Sequence, residues 1–496
     1  MKTNRNVMID ADRCLMCFRP VCDLVCPADV RPASVIQALH LDNESGARLR
    51  LADKTACVDC NDPKCEKACA RGRIDHAIQI RDICRAVIEQ EKPQVGGPTD
   101  LSVDFCGVRC ENPFLLASSP VASSYEMCCR AFDQGWAGVA YKTISFYQTR
   151  EVSPRFDCLP SKSAASFQGF KNLEQLSPYT AEENFDVLRL LKEKYPEKVI
   201  IASVMGQTVE EWTTLARMAE EAGADMVECN FSCPQMAKQG LGSDIGQSPE
   251  LISLYTQATR KGCGLPIIAK MTPNAGNMEP LAVAAVTSGA DSVAAINTIK
   301  SITRIHPENY SSFPDIEGKS AVGGYSGRAV KPIALRFIRD LAVYPPLAGV
   351  SLCGIGGITT WRDAMDFLLL GCDTVQVCTS VMEYGYRIID HLKEGLSIYM
   401  QEKGYNRVEE FRGKALPHIV LPEQLNRNRR LVCEIDRQSC IGCGRCYLSC
   451  QDGGHQAIRW DGHRPQVEET KCVGCGLCTL VCPTEAIGLK EVHDIG

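Results

Sequence analysis

Two cysteine runs near the end of the chain have the spacing C-x₂-C-x₂-C-x₃-C. Their members are Cys440, Cys443, Cys446, Cys450, Cys472, Cys475, Cys478 and Cys482. Four thiolates that converge from a tight loop can hold an iron–sulfur cluster, and in doubled motifs the fourth cysteine of each run normally reaches the other cluster. The spacing therefore predicts two [4Fe–4S] centres, with Cys482 completing the first run's cluster and Cys450 the second's. A pair of structural zinc sites is the alternative.

A second pair of runs, near the start of the chain, has the spacing C-x₂-C-x₄-C-x₃-C. Its members are Cys14, Cys17, Cys22, Cys26, Cys57, Cys60, Cys65 and Cys69. Two equal copies again predict two clusters, with Cys69 completing the first and Cys26 the second by analogy. Either each run serves its own cluster or the runs bind zinc if this analogy fails. Four clusters indicate an electron path, and a flavin is the usual converter between one-electron and two-electron steps.

Composition limits the classes of protein that such cysteines fit. The chain has 496 residues, 29 of them cysteine, with 45% hydrophobic residues and a formal charge of −6. A disulfide scaffold would be short and secreted, whereas the first residues here have no apolar signal segment. The charge is not segregated into blocks, so neither a nucleic-acid footprint nor a membrane-attracting patch is indicated. We expect a cytoplasmic protein with a large buried core.

Three zones differ in composition, and we expect each to be a domain. Residues 1–97 form an N-terminal two-cluster iron–sulfur domain that ends in KPQVGGP. Residues 98–425 alternate short apolar runs with amphipathic stretches. Residues 426–496, entered through NRNRR, form a 2[4Fe–4S] ferredoxin-like domain.

The middle zone predicts a parallel α/β structure. Its buried strands are expected at 113–119, 136–143, 198–205, 224–232, 265–272, 290–298, 349–357 and 372–380. Eight such strands alternating with helices predict a (β/α)₈ TIM barrel, with an open doubly wound sheet as the alternative. Thr180 with Glu183, and Thr208 with Glu211, predict capping boxes, and Pro249 marks a further helix start. The long connections 144–180 and 299–330 would overhang the C-terminal face, where barrel active sites form.

The middle and last zones resemble a known family. The segments that carry the resemblance are ECNFSCP (228–234), AKMTPN (269–274), AINT (295–298) and GGYSG (323–327). In this order, and with a ferredoxin-like tail, they are similar to the segments of dihydropyrimidine dehydrogenases, whose wider family includes the FMN-dependent class 1 dihydroorotate dehydrogenases. The resemblance implies reduction of uracil or thymine to the 5,6-dihydro base, most closely as in the bacterial catalytic subunit.

The resemblance also implies which residues act on the substrate. Cys233 lies just past a strand end, where a thiol can exchange a proton at pyrimidine C5 while FMN N5 exchanges hydride at C6. A buried inert cysteine is the ordinary alternative for such a residue. The positions that match the family's substrate-binding residues are Asn172, Asn230, Ser232, Asn297 and Thr298. Amides suit a pyrimidine, whose ring edge alternates N–H and C=O groups.

Further positions match the family's FMN-binding residues. Towards the isoalloxazine ring these are Ser118, Lys142, Thr143 and Lys270; towards the phosphate they are Gly327, Gly356, Gly357, Cys378 and Thr379. A cation near N1 of the flavin would stabilise its anionic reduced form. The phosphate set follows the last two predicted strands, the customary phosphate site of a barrel. We expect Cys378 to serve through its backbone.

Some features depart from the dihydroorotate dehydrogenases. Gln235 stands where those enzymes typically carry Asn, and Thr298 where they tend to carry Ser, which favours uracil or thymine over orotate. No G-x-G-x-x-G segment is present, so we expect NAD(P) and FAD to bind only to a partner reductase subunit, in a heterotetramer. Dehydrogenation of dihydroorotate or another cyclic amide is a second hypothesis. A non-catalytic polyferredoxin-like electron carrier is a third, and the N-terminal domain would suit either the reductase or a ferredoxin as donor.

Overall fold

The computed structural model describes residues 5–52, 54–97, 99–148, 150–160, 167–234, 236 and 241–492. The chain divides into two compact units, with the division after Pro417. Residues just before this point belong to the first unit, because the Gly413 and Ala415 amides donate to the Leu368 and Leu369 carbonyls. Among the described residues, no helix is both long and apolar enough to cross a membrane.

The N-terminal part of the first unit is helical. Its helices are α1 (Arg5–Ala11), α2 (Val21–Leu24), α3 (Pro32–His40), α4 (Glu44–Arg50), α5 (Lys64–Lys67) and α6 (Ile80–Ile88). They enclose a small apolar core of their own around Val35, Leu39 and Ile83. Hydrogen bonds also attach this part to the barrel: the Trp361 indole donates to the Asp42 carbonyl at 2.9 Å.

The middle zone begins with a hairpin, β1 (Val103–Phe105) and β2 (Val108–Cys110), and continues into a closed barrel of eight parallel strands. The barrel strands are β3 (Phe114–Leu116), β4 (Gly138–Ala140), β7 (Val199–Val204), β8 (Met226–Asn230), β9 (Ile267–Lys270), β10 (Ser292–Ala295), β13 (Ser351–Ile355) and β14 (Thr374–Val377). Each lies inside a predicted strand, and β14 pairs with β3 to close the barrel. The prediction of a (β/α)₈ barrel is confirmed, and the open sheet is excluded.

Helices cover the outside of the barrel. They are α7 (Tyr125–Gln134), α8 (Ala181–Lys194), α9 (Val209–Glu221), α10 (Pro249–Gly262), α11 (Glu279–Thr287), α12 (Lys331–Val343), α13 (Trp361–Leu369), α14 (Thr379–Tyr384) and α15 (Ile388–Lys403). The capping box of Thr180 and Glu183 is present in full. The second box is only half formed, because Thr208 accepts from the Glu211 amide but the Glu211 carboxylate accepts from Gln207 instead.

The two long connections form one antiparallel sheet, which we call the mouth sheet. Its strands are β5 (Phe156–Pro160), β6 (Phe167–Asn172), β11 (Ile299–Ser301) and β12 (Gly323–Ser326), in the order β11-β12-β6-β5. The fully buried Lys171 donates to the Phe313 carbonyl at 2.6 Å and so ties one connection to the other. Both connections follow carboxyl ends of barrel strands, so the mouth sheet belongs to the face on which barrel active sites form.

The second unit is small and has pseudo-symmetric halves. Its strands are β15 (Leu431–Ile435), β16 (Ile458–Trp460), β17 (Pro465–Val467) and β18 (Ile487–Glu491), and its helices are α16 (Arg445–Gly453) and α17 (Leu477–Val481). Strand β15 pairs with β18 and β16 with β17, both antiparallel. Five of its sixteen-odd apolar positions are the motif thiols and their neighbour Cys433, so its core is built largely around cysteine.

Candidate active site and iron–sulfur centres

A cleft of about 1120 Å³ opens at the carboxyl ends of the barrel strands. Its walls include the ends of β3, β4, β8, β9, β10 and β14, and the mouth sheet contributes Phe167, Phe170 and Tyr325. All the sequence-predicted substrate and flavin residues line this cleft except Ser232. The parallel strands therefore bring together residues that lie up to 261 positions apart (118 to 379) in the chain.

Cys233 lies in the loop that follows β8 and is 7% exposed at the cleft wall. The returning loop packs closely on it: the Ser243 amide donates to the Cys233 carbonyl at 2.9 Å. A side chain at Gly242, whose φ is +58°, would meet that carbonyl at 2.3 Å. Glycine is therefore required where the loop crosses, and the crossing fixes the backbone of Cys233. The neighbouring Gln235 lies outside the described residues.

A chain of hydrogen bonds joins polar groups at the ends of three strands. The Asn230 amide donates to Thr143 Oγ1 at 2.8 Å, and Thr143 and Ser118 share a bond of 3.1 Å. Ser232 Oγ donates to Asn230 Oδ1 at 2.9 Å and accepts from the Asn297 amide at 2.8 Å. Ser232 is fully buried, so its part is to orient the two amides. These bonds fix which end of each amide faces the cleft.

Asn172 and Lys142 approach the cleft beside a carboxylate that the sequence patterns missed. Asn172 Oδ1 accepts from the amide of Glu174 at 2.5 Å. Glu174 in turn pairs with Lys142 Nζ at 2.7 Å and with Arg155 at 2.7 Å. Lys142 is only 5% exposed, and an unpaired ammonium would be costly there. The signal for Glu174 was its place two residues after Asn172, on the overhanging connection.

Lys270 has a buried partner as well. Its Nζ lies 3.2 Å from Glu228 Oε1, and Gln376 donates to the other oxygen of Glu228 at 2.9 Å. Glu228 is fully buried inside the barrel and Lys270 is 3% exposed. This arrangement aims the lysine upward from the barrel interior toward the cleft. Sequence reasoning missed Glu228 and Gln376 because both sit within continuous apolar strands.

The far end of the cleft is made of backbone. Gly327, Gly356 and Gly357 have φ values of +92°, +125° and +76°, conformations that side chains disfavour. Cys378 precedes α14, and Thr379 shares a 2.8 Å hydrogen bond with Ser326 of the mouth sheet. The Cys378 thiol lies 3.9 Å from the Met382 sulfur, an ordinary packing contact. Backbone N–H groups of this kind are suited to a phosphate.

The donor set along the cleft fits FMN. Two buried cations and two hydroxyls lie at the strand ends, glycine-rich backbone lies at the other end, and the apolar Ile296 and Val377 stand between them. A flavin requires the same order: polar contacts on the ring edge, an apolar surface for the ring, and N–H donors for the phosphate. The predicted flavin residues are thus placed along one cleft.

In the second unit, the motif thiols surround two hollows. One, of about 320 Å³, is lined by Cys440, Cys443, Cys446 and Cys482; the other, of about 370 Å³, is lined by Cys450, Cys472, Cys475 and Cys478. The fourth cysteine of each run therefore faces the other run's thiols. Backbone amides of Ala457 and Ala486 donate to the sulfurs of Cys450 and Cys482 at 3.3 Å. Such bonds stabilise thiolate ligands.

The N-terminal cysteines are also exchanged between runs. Cys69 lies near Cys14 and Cys22, and Cys26 lies near Cys65, in each case close enough for their charges to interact. No three His, Cys, Asp or Glu side chains in the described ranges converge closely enough to hold a single metal ion. Cys60, the remaining member of the second run, is discussed below.

Comparison with protein families agrees with this organisation. Residues 100–400 match the family model of dihydroorotate dehydrogenase. Residues 433–489 match a 4Fe-4S dicluster domain, and residues 1–95 match domain II of dihydropyrimidine dehydrogenase, a 4Fe-4S cluster domain. The predicted fold class is confirmed, as are FMN and [4Fe–4S] clusters as the cofactors of these domains.

Curated relatives extend the agreement. The NAD-dependent dihydropyrimidine dehydrogenase subunit PreA of Escherichia coli is 54% identical over 361 residues, 73% of this chain and 88% of that protein. The chloroplastic dihydropyrimidine dehydrogenase (NADP(+)) of Arabidopsis thaliana is 36% identical over 67% of this chain and 80% of its own length. The catalytic subunit of dihydroorotate dehydrogenase B (NAD(+)) of Pyrococcus abyssi is 38% identical over 64% and 99%.

Proposed function

Because this chain belongs to the dihydroorotate dehydrogenase family, and within it to the dihydropyrimidine dehydrogenases, we propose that it interconverts uracil or thymine and the 5,6-dihydro base. The observation that carries the proposal is the hydrogen-bonded row of Asn230, Ser232 and Asn297 beside Cys233. The row presents oriented amides and a thiol to one flat cleft, which are the groups that a pyrimidine requires.

Cys233 is assigned the proton at C5. When bound, FMN supplies a hydride to C6, and the reduction is complete once a proton reaches C5 from the opposite face. The thiol donates that proton, a C5–H bond forms as the S–H bond breaks, and solvent restores the thiol. The loop crossing at Gly242 keeps its backbone in place, so the proton is delivered from a fixed position.

Asn172, Asn230, Asn297 and Thr298 are assigned the substrate's polar edge. A carboxamide offers both a donor and an acceptor, and it can match either a ring N–H or a ring carbonyl. The Asn297 carbonyl oxygen already accepts from the Thr298 amide at 2.7 Å, which fixes its orientation. Fixed amides reject a ring whose donor and acceptor pattern differs, since a buried polar group would lose its partner.

The ion pairs favour a neutral base over orotate. Lys142 is neutralised by Glu174, and Lys270 by Glu228. A substrate carboxylate would therefore meet carboxylates already committed to these lysines and would gain little from either cation. The family match to a dihydroorotate dehydrogenase catalytic subunit keeps dihydroorotate as the second candidate substrate.

The electrons are assigned a path through a partner subunit. A relative is named as an NAD-dependent subunit, and we infer a reductase partner that binds NAD and FAD, in a heterotetramer. From its FAD the electrons would pass through the clusters to FMN. A ferredoxin is the alternative donor. The free cysteines suit a reducing compartment, and we assign the enzyme to the cytoplasm.

A spectral titration tests the substrate. Protein reduced with dithionite under anaerobic conditions is mixed separately with uracil, thymine and orotate, and the flavin absorbance is followed. We expect uracil or thymine to reoxidise the flavin and orotate to do so at least 100-fold more slowly. Rapid reoxidation by orotate alone would establish the second candidate. Protein that neither contains nor takes up FMN would instead establish the non-catalytic electron carrier.

A further inference from the structure

Two cysteines outside the four runs lie against motif thiols. The runs use 16 of the 29 cysteines, and of the other 13, Cys84 and Cys433 occur in the two cluster regions. The Cys84 thiol forms a hydrogen bond with the Cys57 thiol, and Cys433 forms one with Cys478. Cys84 is fully buried and Cys433 is 2% exposed. The two positions are therefore alike in residue type, burial and contact.

They differ in what the neighbouring run already provides. Beside Cys433, four motif thiols line one hollow together. Near Cys84, the thiols close enough to interact with it are Cys57, Cys65 and Cys26, which makes four only if Cys84 is counted. Cys60 is partly exposed and lies between the exposed residues Asp59 and Asn61.

Backbone conformation explains why Cys60 stands apart. In three of the runs the residue before the second cysteine has positive φ: Met16 at +51°, Gly442 at +68° and Gly474 at +65°. This left-handed residue turns the loop so that it wraps around the cluster. In the remaining run, Cys57 ends a 3₁₀ turn and Val58 continues in helical conformation with φ −65°. Among the described residues 57–69, none has positive φ.

Helix α6 positions Cys84 over this run. Its buried face consists of Ile80, Ile83, Cys84 and Val87. Two hydrogen bonds attach the helix to the run: Arg85 Nε donates to the Val58 carbonyl at 3.0 Å, and the Arg81 amide donates to Glu66 at 2.7 Å. The inward thiol is thus held against the loop by contacts on both sides of it.

We propose that Cys84 is the fourth ligand of the second N-terminal [4Fe–4S] cluster, together with Cys26, Cys57 and Cys65, and that Cys60 is not a ligand. The first N-terminal cluster keeps Cys14, Cys17, Cys22 and Cys69. Because a [4Fe–4S] cube takes four protein ligands, removal of one true ligand should cost a cluster, whereas removal of a neighbouring thiol should not.

Iron content of the full-length holoprotein tests the proposal. Wild type should contain about 16 iron atoms per chain, four for each of four clusters. Cys84→Ala should lower this to about 12 and remove one signal from the electron paramagnetic resonance spectrum of the reduced protein, with the flavin absorbance unchanged. Cys433→Ala is the matched control, and Cys60→Ala is the second; both should keep all four clusters. A full iron complement in Cys84→Ala, or loss of a cluster in Cys60→Ala, would overturn the assignment.

Two further measurements cover a variant that fails to fold. Cys84→Ser keeps an oxygen ligand in place, and it should retain iron while shifting one paramagnetic resonance signal. An unshifted spectrum would contradict the proposal. In untouched holoprotein, iodoacetamide followed by mass spectrometry should label Cys60 and spare Cys57. Protection of Cys60 that ends only when iron is removed would mark it as a ligand instead.

Discussion

The two cluster-bearing regions use equal numbers of motif cysteines but are built differently. In the C-terminal unit each run is a glycine turn followed by a short helix, and all eight thiols line hollows within 79 residues, 418–496. In the N-terminal region, loops and helices alternate, and α6 brings Cys84 to a run that lacks the turn. Cluster spacing therefore specifies ligands fully only where the loop between the cysteines can wrap.

The regions also differ in their dependence on the barrel. The C-terminal unit is compact by itself. The N-terminal helices share hydrogen bonds with barrel helices, such as the Asn43 amide to Glu394 at 2.6 Å and His40 to Tyr384 at 3.2 Å. Met16 and Leu41 belong to the same apolar core as the barrel. We infer that the N-terminal region is part of the barrel's structure, whereas the C-terminal unit is an attached module.

Two deletions should give the largest contrast. Removal of residues 418–496 should leave a protein with FMN and about half of the iron. Removal of residues 1–97 exposes the apolar surface around Trp361 and Tyr384, which helices α3 and α4 now contact, and most of the barrel should then be recovered as aggregate. Soluble yield and melting temperature measure both. Equal yields from the two deletions would refute the contrast.

Arg387→Ala should give an intermediate effect. Arg387 donates to the carbonyls of Met16 and Cys17, in the left-handed turn of the first run. Loss of charged donors to buried carbonyls costs about 1–3 kcal/mol, so we expect a clearly lower melting temperature and partial loss of one N-terminal cluster.

Arg336→Ala is the control for that substitution. Arg336 forms only an exposed i,i+4 pair with Asp340 on α12, and such pairs contribute about 0–1 kcal/mol. If both variants melt together, the contact of Arg387 with the turn does not support the N-terminal region.

The smallest effect should be a dependence on pH confined to the first unit. Burial lowers the pKa of His40 and of His391 to about 4, whereas an unfolded histidine titrates near ~6.5. Between these values the unfolded chain binds more protons, so the first unit loses stability as pH falls from 6.5 toward 4. The raised pKa of Asp12, about 6 because of burial, partly offsets this loss. In the second unit, His455 and His463 are exposed.

His391→Gln isolates the histidine contribution. The variant should show a shallower fall of melting temperature between pH 6.5 and 4 than wild type, by calorimetry, with the melting of the second unit unchanged. An identical slope in the two proteins would show that the buried imidazole is not responsible.

How far sequence reaches depends on whether the signal is local. Eight barrel strands were predictable because each is a continuous apolar run, and the cap at Thr180 because its partner is three residues away. Glu228 was not recognised, because its partner Lys270 is 42 positions distant and the carboxylate lies inside an apolar strand. Only the closed barrel shows that the two must pair.

The cysteines give the same lesson. Motif spacing indicated the exchange of Cys450 and Cys482, because the two halves of that unit are copies. It gave no reason to consider Cys84, which lies 15 residues beyond the last cysteine of its run and reaches the run only through the packing of α6. Ligands supplied by a separate element need the tertiary structure.

The central claim is that Cys233 supplies a proton to a pyrimidine held against the flavin. Stopped-flow mixing of fully reduced, anaerobic enzyme with uracil tests it directly, for wild type and Cys233→Ala with equal FMN and iron. General acid catalysis of this kind contributes about 10²–10⁴-fold. We predict that flavin reoxidation slows at least 100-fold in the variant, while cluster reoxidation by a chemical oxidant is unchanged. Equal rates of flavin reoxidation by uracil in the two proteins would contradict the claim.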